Sequence, residues 1–209
     1  MAGESSDLKE EIARFRKWEA QLPAAARPGE WQEYPEWGAL YTAFAGFIRQ
    51  TRPAQWDEAT VLDLLYIFAR DNEAEYLVSL LSEVQPEGLF RLAEAAVRDG
   101  ESDVRWQLAA YLGETGGDRS RAEAILLVLV KDEDEYVSRR ALLALANLGS
   151  SHVPSLCERA WATGHEYQRI AALHAIQAAS PRELPKYIEL AKADGRQNLV
   201  QNAVKLEGY

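Results

Sequence analysis

The chain of 209 residues holds one cysteine, one methionine and three histidines. A lone Cys157 excludes an intrachain disulfide framework and a multi-cysteine zinc site. No partner residues mark it as a nucleophile, so it reads as a small buried apolar side chain. His152, His165 and His174 sit in neither an HExxH pattern nor a Cys/His spacing. Cations are also scarce: Lys+Arg is 23 against 33 Asp+Glu, a net charge of −10. That balance argues against a non-specific nucleic-acid binder or a protein adsorbed to an anionic membrane, both of which need cationic surface. Long apolar runs are missing too. The longest, Ala124 to Val130, is too short to span a bilayer. Met1 to Glu11 is polar and acidic, without the apolar core of a secretory signal. A soluble cytoplasmic chain is the expectation, with no cofactor, no metal and no catalytic residues. Gly113-Glu114-Thr115-Gly116-Gly117 lacks the lysine of a phosphate loop, and Ser79 and Ser155 lack a nucleophile-elbow context.

What is present is repetition. A shift of 33 residues places Val104 on Val137, Leu108 on Ala141, Leu112 on Leu145 and Gly116 on Gly149. A shift of 31 places Glu135-Tyr136 on Glu166-Tyr167, Ala141-Leu142 on Ala172-Leu173 and Leu145 on Ile176. Glu75-Tyr76 is an earlier echo, 60 residues before Glu135-Tyr136. Each period holds two stretches with apolar residues at helical spacing, rich in alanine and separated by breakers. The pairs are 57–70 with 73–84, 86–98 with 102–113, 118–130 with 133–148, 151–163 with 165–179, and 181–193 with 196–206. Ser180-Pro181-Arg182-Glu183 reads as an N-cap, a proline at the first helical position and a capping-box glutamate. Asp118 reads as an N-cap after a glycine stop.

The first 56 residues differ and are assigned as a helical cap ahead of a repeat region at 57–209. Ser6 to Leu22 reads as an amphipathic helix carrying Leu8, Ile12, Phe15, Trp18 and Leu22 on one side. Residues 23–30 are a breaker-rich connector, and 34–50 a second helix. Trp31, Tyr34, Trp37, Tyr41, Phe44 and Phe47 make this the most aromatic stretch. Aromatics here either cover the first repeat or offer a surface to a partner.

The run Asp103-Val104-Arg105 with Leu112-Gly113, and Asp134, Val137, Arg139 with Leu145 and Leu148-Gly149, resembles HEAT-like repeats. The likeness is to the short bacterial kind related to phycobilisome-lyase repeats. Gly164 to Arg169 is a degenerate third copy. The resemblance implies an all-α solenoid of about five helix pairs; it implies little about activity. In such repeats an arginine directly follows the valine and ladders with aspartates of neighbouring repeats. Arg105 fits, Arg169 aligns with the same position, and inter-repeat pairing is expected of both. Ser138 takes that position in the middle repeat, with Arg139 one residue later, so the ladder is expected to break there.

The charge is concentrated. Residues 57–135 hold 19 acidic and 7 basic side chains, net −12, whereas 136–209 are net +3. Asp71, Glu73 and Glu75 fall at one expected inter-helix turn, Glu101 and Asp103 at the next, and Asp132, Glu133, Asp134 and Glu135 at the third. Helix-start chemistry explains one or two carboxylates per turn. Stacked along an edge, they would also form an electronegative surface suited to a basic protein. Metal binding by the run of four is not expected, because it lacks the alternating ligands and glycine turn of a calcium loop. Trp106, Arg139 and Ile170 share one register position. With Arg140 beside it, this position is either a concave contact surface, rich in hot-spot residue types, or packing between repeats.

These readings favour a monomeric protein-binding module with a basic partner protein, without nucleic acid or membrane. Some bacterial toxin-immunity proteins are similar, being short HEAT-repeat chains of this size; that resemblance implies a toxin as one candidate for the basic partner. The alternatives are a nucleic-acid enzyme like the HEAT-like DNA glycosylases, which the acidic middle opposes, and a lyase or chaperone for a tetrapyrrole-bearing protein.

Overall fold

The amphipathic spacing is satisfied almost element by element. A computed structural model describes residues 3–23, 31–114 and 116–208; the connector at 24–30 lies outside them. Among the described residues there are twelve α-helices and no strand. None of the helices is long and apolar enough to cross a membrane. The chain divides into two compact units, Met1–Leu108 and Ala109–Tyr209. The division falls inside α6 (Ser102–Leu112), not at residue 56.

The first unit contains α1 (Gly3–Glu19), α2 (Trp37–Gln50), α3 (Glu58–Arg70), α4 (Tyr76–Val84) and α5 (Pro86–Asp99). Helix α1 packs on α2 and α3, α2 on α4, and α3 on α5. The N-terminal helices thus form one more helix pair of this unit, α1 stacked on α3 and α2 on α4. Its core is aromatic. Phe15 is fully buried, with the rings of Trp18, Trp31, Tyr34 and Trp37 centred 4.7–6.0 Å away. Burying a side chain of this size contributes about 1.5–3 kcal/mol, and each favourable ring pair about 0.5–1.5 kcal/mol more.

The second unit contains α7 (Arg119–Leu129), α8 (Glu135–Asn147), α9 (Val153–Ala162), α10 (Glu166–Ala179), α11 (Leu184–Asp194) and α12 (Gln197–Glu207). Helix α10 is its centre, packed on α8, α9, α11 and α12. Ala171, Ala172 and Ala175 are buried along it, and their small side chains let neighbouring backbones approach. Cys157 is buried in α9, and burial pushes its thiol up to about 12, with the Glu183 charge adding to the effect.

Two Leu-Gly pairs end helices for different reasons. Gly149 has φ +63°, and the bonds Gly149 N to Ala146 O and Ser150 N to Leu145 O close α8 in a Schellman motif. Gly113 is needed for closeness instead: a Cβ there would lie 2.7 Å from both Cα and Cβ of Ala144.

Three local expectations are corrected. Helix α4 begins at Tyr76, not 73, because Glu75 takes a left-handed conformation (φ 51°) that no helix continues through. Helix α2 begins at Trp37, after a 3₁₀ turn at Trp31–Glu33. Ser180 makes no side-chain cap; Pro181–Glu183 form a 3₁₀ turn, closed by Glu183 N to Ser180 O, before α11 starts at Leu184.

Candidate functional site

Carboxylates gather at helix starts because the first-turn N–H groups lack intrahelical acceptors. Asp134 caps α8, accepting from Tyr136 N at 2.9 Å and Val137 N at 3.2 Å. Asp132 accepts from Asp134 N at 2.9 Å and shapes the turn before it. Glu135 lies 3.1 Å from Arg139 Nε and 3.6 Å from His165 Nδ1. Asp103 accepts from Trp106 Nε1 at 3.2 Å. Glu101 pairs with Arg70. Most of the expected edge therefore has a local structural task, and Glu73, Glu101 and Glu133 are its exposed members.

Two residues expected at a contact surface are buried. Asp71 is 2% exposed. It accepts from Tyr41 Oη at 2.6 Å and Leu77 N at 2.7 Å, so it ties α2 to the start of α4. Burial raises its carboxyl above the ordinary value, against those two bonds and with Glu75 adding repulsion. Trp106 is 7% exposed and packs as core. Its register mate Arg139 is half-buried, as is Ile170. The guanidinium of Arg139 lies 4.7 Å from the Tyr136 ring centre and 5.1 Å from that of Tyr167. Arg140 is half-buried as well, 5.9 Å from the Tyr136 ring.

The repeated Glu-Tyr pair acquires a meaning here. Its tyrosines all fall in the first turn of a helix, and all are exposed: Tyr76 by 42%, Tyr136 by 37% and Tyr167 by 47%. Aromatic rings left in solvent at corresponding places are surface elements, since packing does not require them.

In the first unit, Tyr76 adjoins a cavity of about 170 Å³ beside Trp37, Tyr41, Arg70, Asp71, Asn72 and Glu73. Trp37 and Tyr41 stack with centres 5.3 Å apart, and Tyr76 lies 4.4 Å beyond Tyr41. Arg70 stands over Tyr66 at 4.1 Å and Trp31 at 5.4 Å, and its charge is matched by Glu19 and Glu101. The oxygen Oδ1 of Asn72 is buried with no hydrogen-bond partner among the described residues. Sequence reasoning placed Asp71 and Glu73 together and named Trp37 and Tyr41 as aromatics of the N-terminal stretch, but it did not join the two groups and missed Asn72. The signal that could have joined them was Glu75-Tyr76, an aromatic at a turn otherwise made of acids.

The arginine position of the repeat is structural. Arg105 Nη1 donates to Gly100 O at 2.6 Å, and Arg169 Nε to Trp161 O at 2.9 Å. In the middle repeat Ser138 Oγ donates to Val130 O at 2.9 Å. Each donor meets a carbonyl at the end of the preceding helix. Ser138 thus keeps, with a hydroxyl, the bond inside its own helix pair; this is not the aspartate pairing between repeats. Arg169 also pairs with Asp194 of α11, across to the next helix pair. Arg196 and Arg169 hold the Asp194 carboxyl well below the ordinary range, with the Arg196 hydrogen bond the larger cause.

By unit, residues 1–108 carry 20 acidic and 11 basic side chains, net −9, and 109–209 carry 13 and 12, net −1. Among the described residues no group of three His, Cys, Asp or Glu could hold a metal ion. Comparison with curated proteins and with solved structures gave no match to the chain. Residues 90–177 match the family model for HEAT repeats, and over that stretch the helix pairs are similar to HEAT repeats.

Proposed function

We propose that this chain is a protein-binding module that takes a basic partner, in the manner of an immunity or antitoxin protein that holds a cationic toxin. The observation that carries this reading is the placement of charge. The first unit is net −9, and two of its carboxylates, Glu73 and Glu75, lie next to the exposed Tyr76. A carboxylate that caps a helix still contributes its full charge to the outer field, so structural tasks do not cancel the attraction for a cationic protein. The same field opposes a nucleic-acid substrate.

The test is capture of a partner by the purified full chain, followed by titration calorimetry. The expected result is a basic protein whose binding weakens as salt rises and weakens again with Glu73→Lys. A neutral or acidic partner, or binding insensitive to both salt and Glu73→Lys, overturns the reading.

A further inference from the structure

We propose that the solvent-facing side of α4 is the docking row for one helix of the basic partner, a helix whose apolar stripe carries lysines or arginines at both ends. This deepens the reading above and rests on it. Helix α4 is nine residues long, and six of them are apolar: Tyr76, Leu77, Val78, Leu80, Leu81 and Val84. A surface helix needs only one apolar side. Leu77, Val78 and Leu81 supply it and are fully buried. The other three are left over. Tyr76 and Val84 are 42% and 39% exposed, and Leu80 is half-buried. Spaced four apart, they follow one another along the helix surface in a row about 12 Å long. Single exposed apolar residues are ordinary, whereas a continuous apolar patch marks a site of interaction.

The Tyr41 ring, centred 4.4 Å from that of Tyr76, holds Tyr76 in place, so little freedom is lost when a partner covers its open side. Among the described residues there is no strand, so a partner strand finds no edge to extend. A row of side chains on a helix is instead matched by the grooves of another helix. Charge selects which helix. Glu73 and Glu75 stand before the row and Glu83 and Glu87 at its far end, while α4 itself has no basic residue. The apolar row supplies the contact area, and the flanking carboxylates attract cations and reject acids. Because both ends are negative, the partner's stripe needs a cation at each end.

The test uses the full chain with ¹³C-labelled leucine and valine methyl groups, and three synthetic helical peptides. The first has leucines at i, i+4 and i+7 with lysines at both ends. The second has the same residues with the leucines spread round the helix. The third has glutamates in place of the lysines. The expected result is a saturable shift of the Leu80 and Val84 methyls with the first peptide only. Val84→Ala, at the exposed end of the row, weakens that binding by up to about tenfold, the worth of two methyl groups taken out of water. Glu83→Lys weakens it too and leaves the fold alone, since a cation suits the last turn of a helix. The proposal is overturned by equal shifts from the second or third peptide, by no saturable shift, or by binding unchanged in both variants. It is also overturned if the same methyls shift when the chain alone is concentrated, which gives the row to a second copy. A parallel titration with polylysine separates the two levels. Salt-sensitive polylysine binding, with no response to the first peptide, overturns the α4 row alone and leaves the basic-partner reading standing. Failure of polylysine and the first peptide alike to bind overturns both.

Discussion

Gly113→Ala tests whether the Leu-Gly ending of α6 exists to bring helices together. The added Cβ would stand 2.7 Å from Ala144 Cα, 2.7 Å from its Cβ and 3.1 Å from its carbonyl oxygen. These atoms belong to the body of α8, so no flexible side-chain tip can swing aside. Relief requires a backbone shift. Overpacking of this kind costs about 1–3 kcal/mol. For a chain of this length each kcal/mol moves the melting temperature by about 2–4 °C, so a fall of about 2–12 °C is expected in a circular-dichroism melt. Gly116→Ala is the matched control. It lies three residues on with nothing within 4 Å of a Cβ. Losing a glycine where space and backbone permit stabilises by about 0.4–1 kcal/mol. The two variants should therefore move in opposite directions. If Gly113→Ala melts with or above Gly116→Ala, the close approach to Ala144 is not what fixes glycine there.

Two other outcomes follow from the carboxylates. Asp134→Ala removes the cap on Tyr136 and Val137 N–H and should cost about 0.5–2 kcal/mol, read as a lower urea midpoint at unchanged slope. Asp194 titrates below its ordinary value in the folded chain, chiefly through Arg196. Its contribution is present above the unfolded carboxylate pKa of about 3.9 and is lost as pH falls below it. Asp194→Asn should accordingly narrow the gap to wild type in melts taken from neutral pH down to pH 3; a gap constant across that range would contradict the pairing.

The repeat region was readable because its signals are local. Leu108, Leu112, Val137 and Leu145 recur at helical spacing, and breakers such as Gly116-Gly117 and Gln85-Pro86 stand between them, so the expected pair 86–98 with 102–113 became Pro86–Asp99 with Ser102–Leu112. Where long-range contacts decide, the sequence was silent. Asp71 looked like its neighbour Glu73, yet Tyr41, 30 positions earlier, donates to it and holds it inside. Trp106 could not be told from Arg139 by register alone; packing separated a buried indole from a half-buried guanidinium. The capping box at Ser180 failed because a 3₁₀ turn came between the serine and α11. The acidic turns were rightly seen as helix starts. How far such local work absorbs their oxygens depends on partners such as Arg70 and His165, which arrive from other helices.

The carbonyl-capping position of the repeats bears on how such chains drift. Arg105, Ser138 and Arg169 differ in charge, length and shape, yet each delivers one proton donor to the end of the preceding helix. The demand comes from the backbone, which mutation cannot alter, and the supply can come from a hydroxyl or a guanidinium. Little residue identity needs to be preserved at that place for the hairpin to keep its form. Copies of the motif can therefore diverge until their letters no longer align while the helices they join remain superimposable. The loss of an arginine in one copy is a change of spelling that leaves the architecture intact.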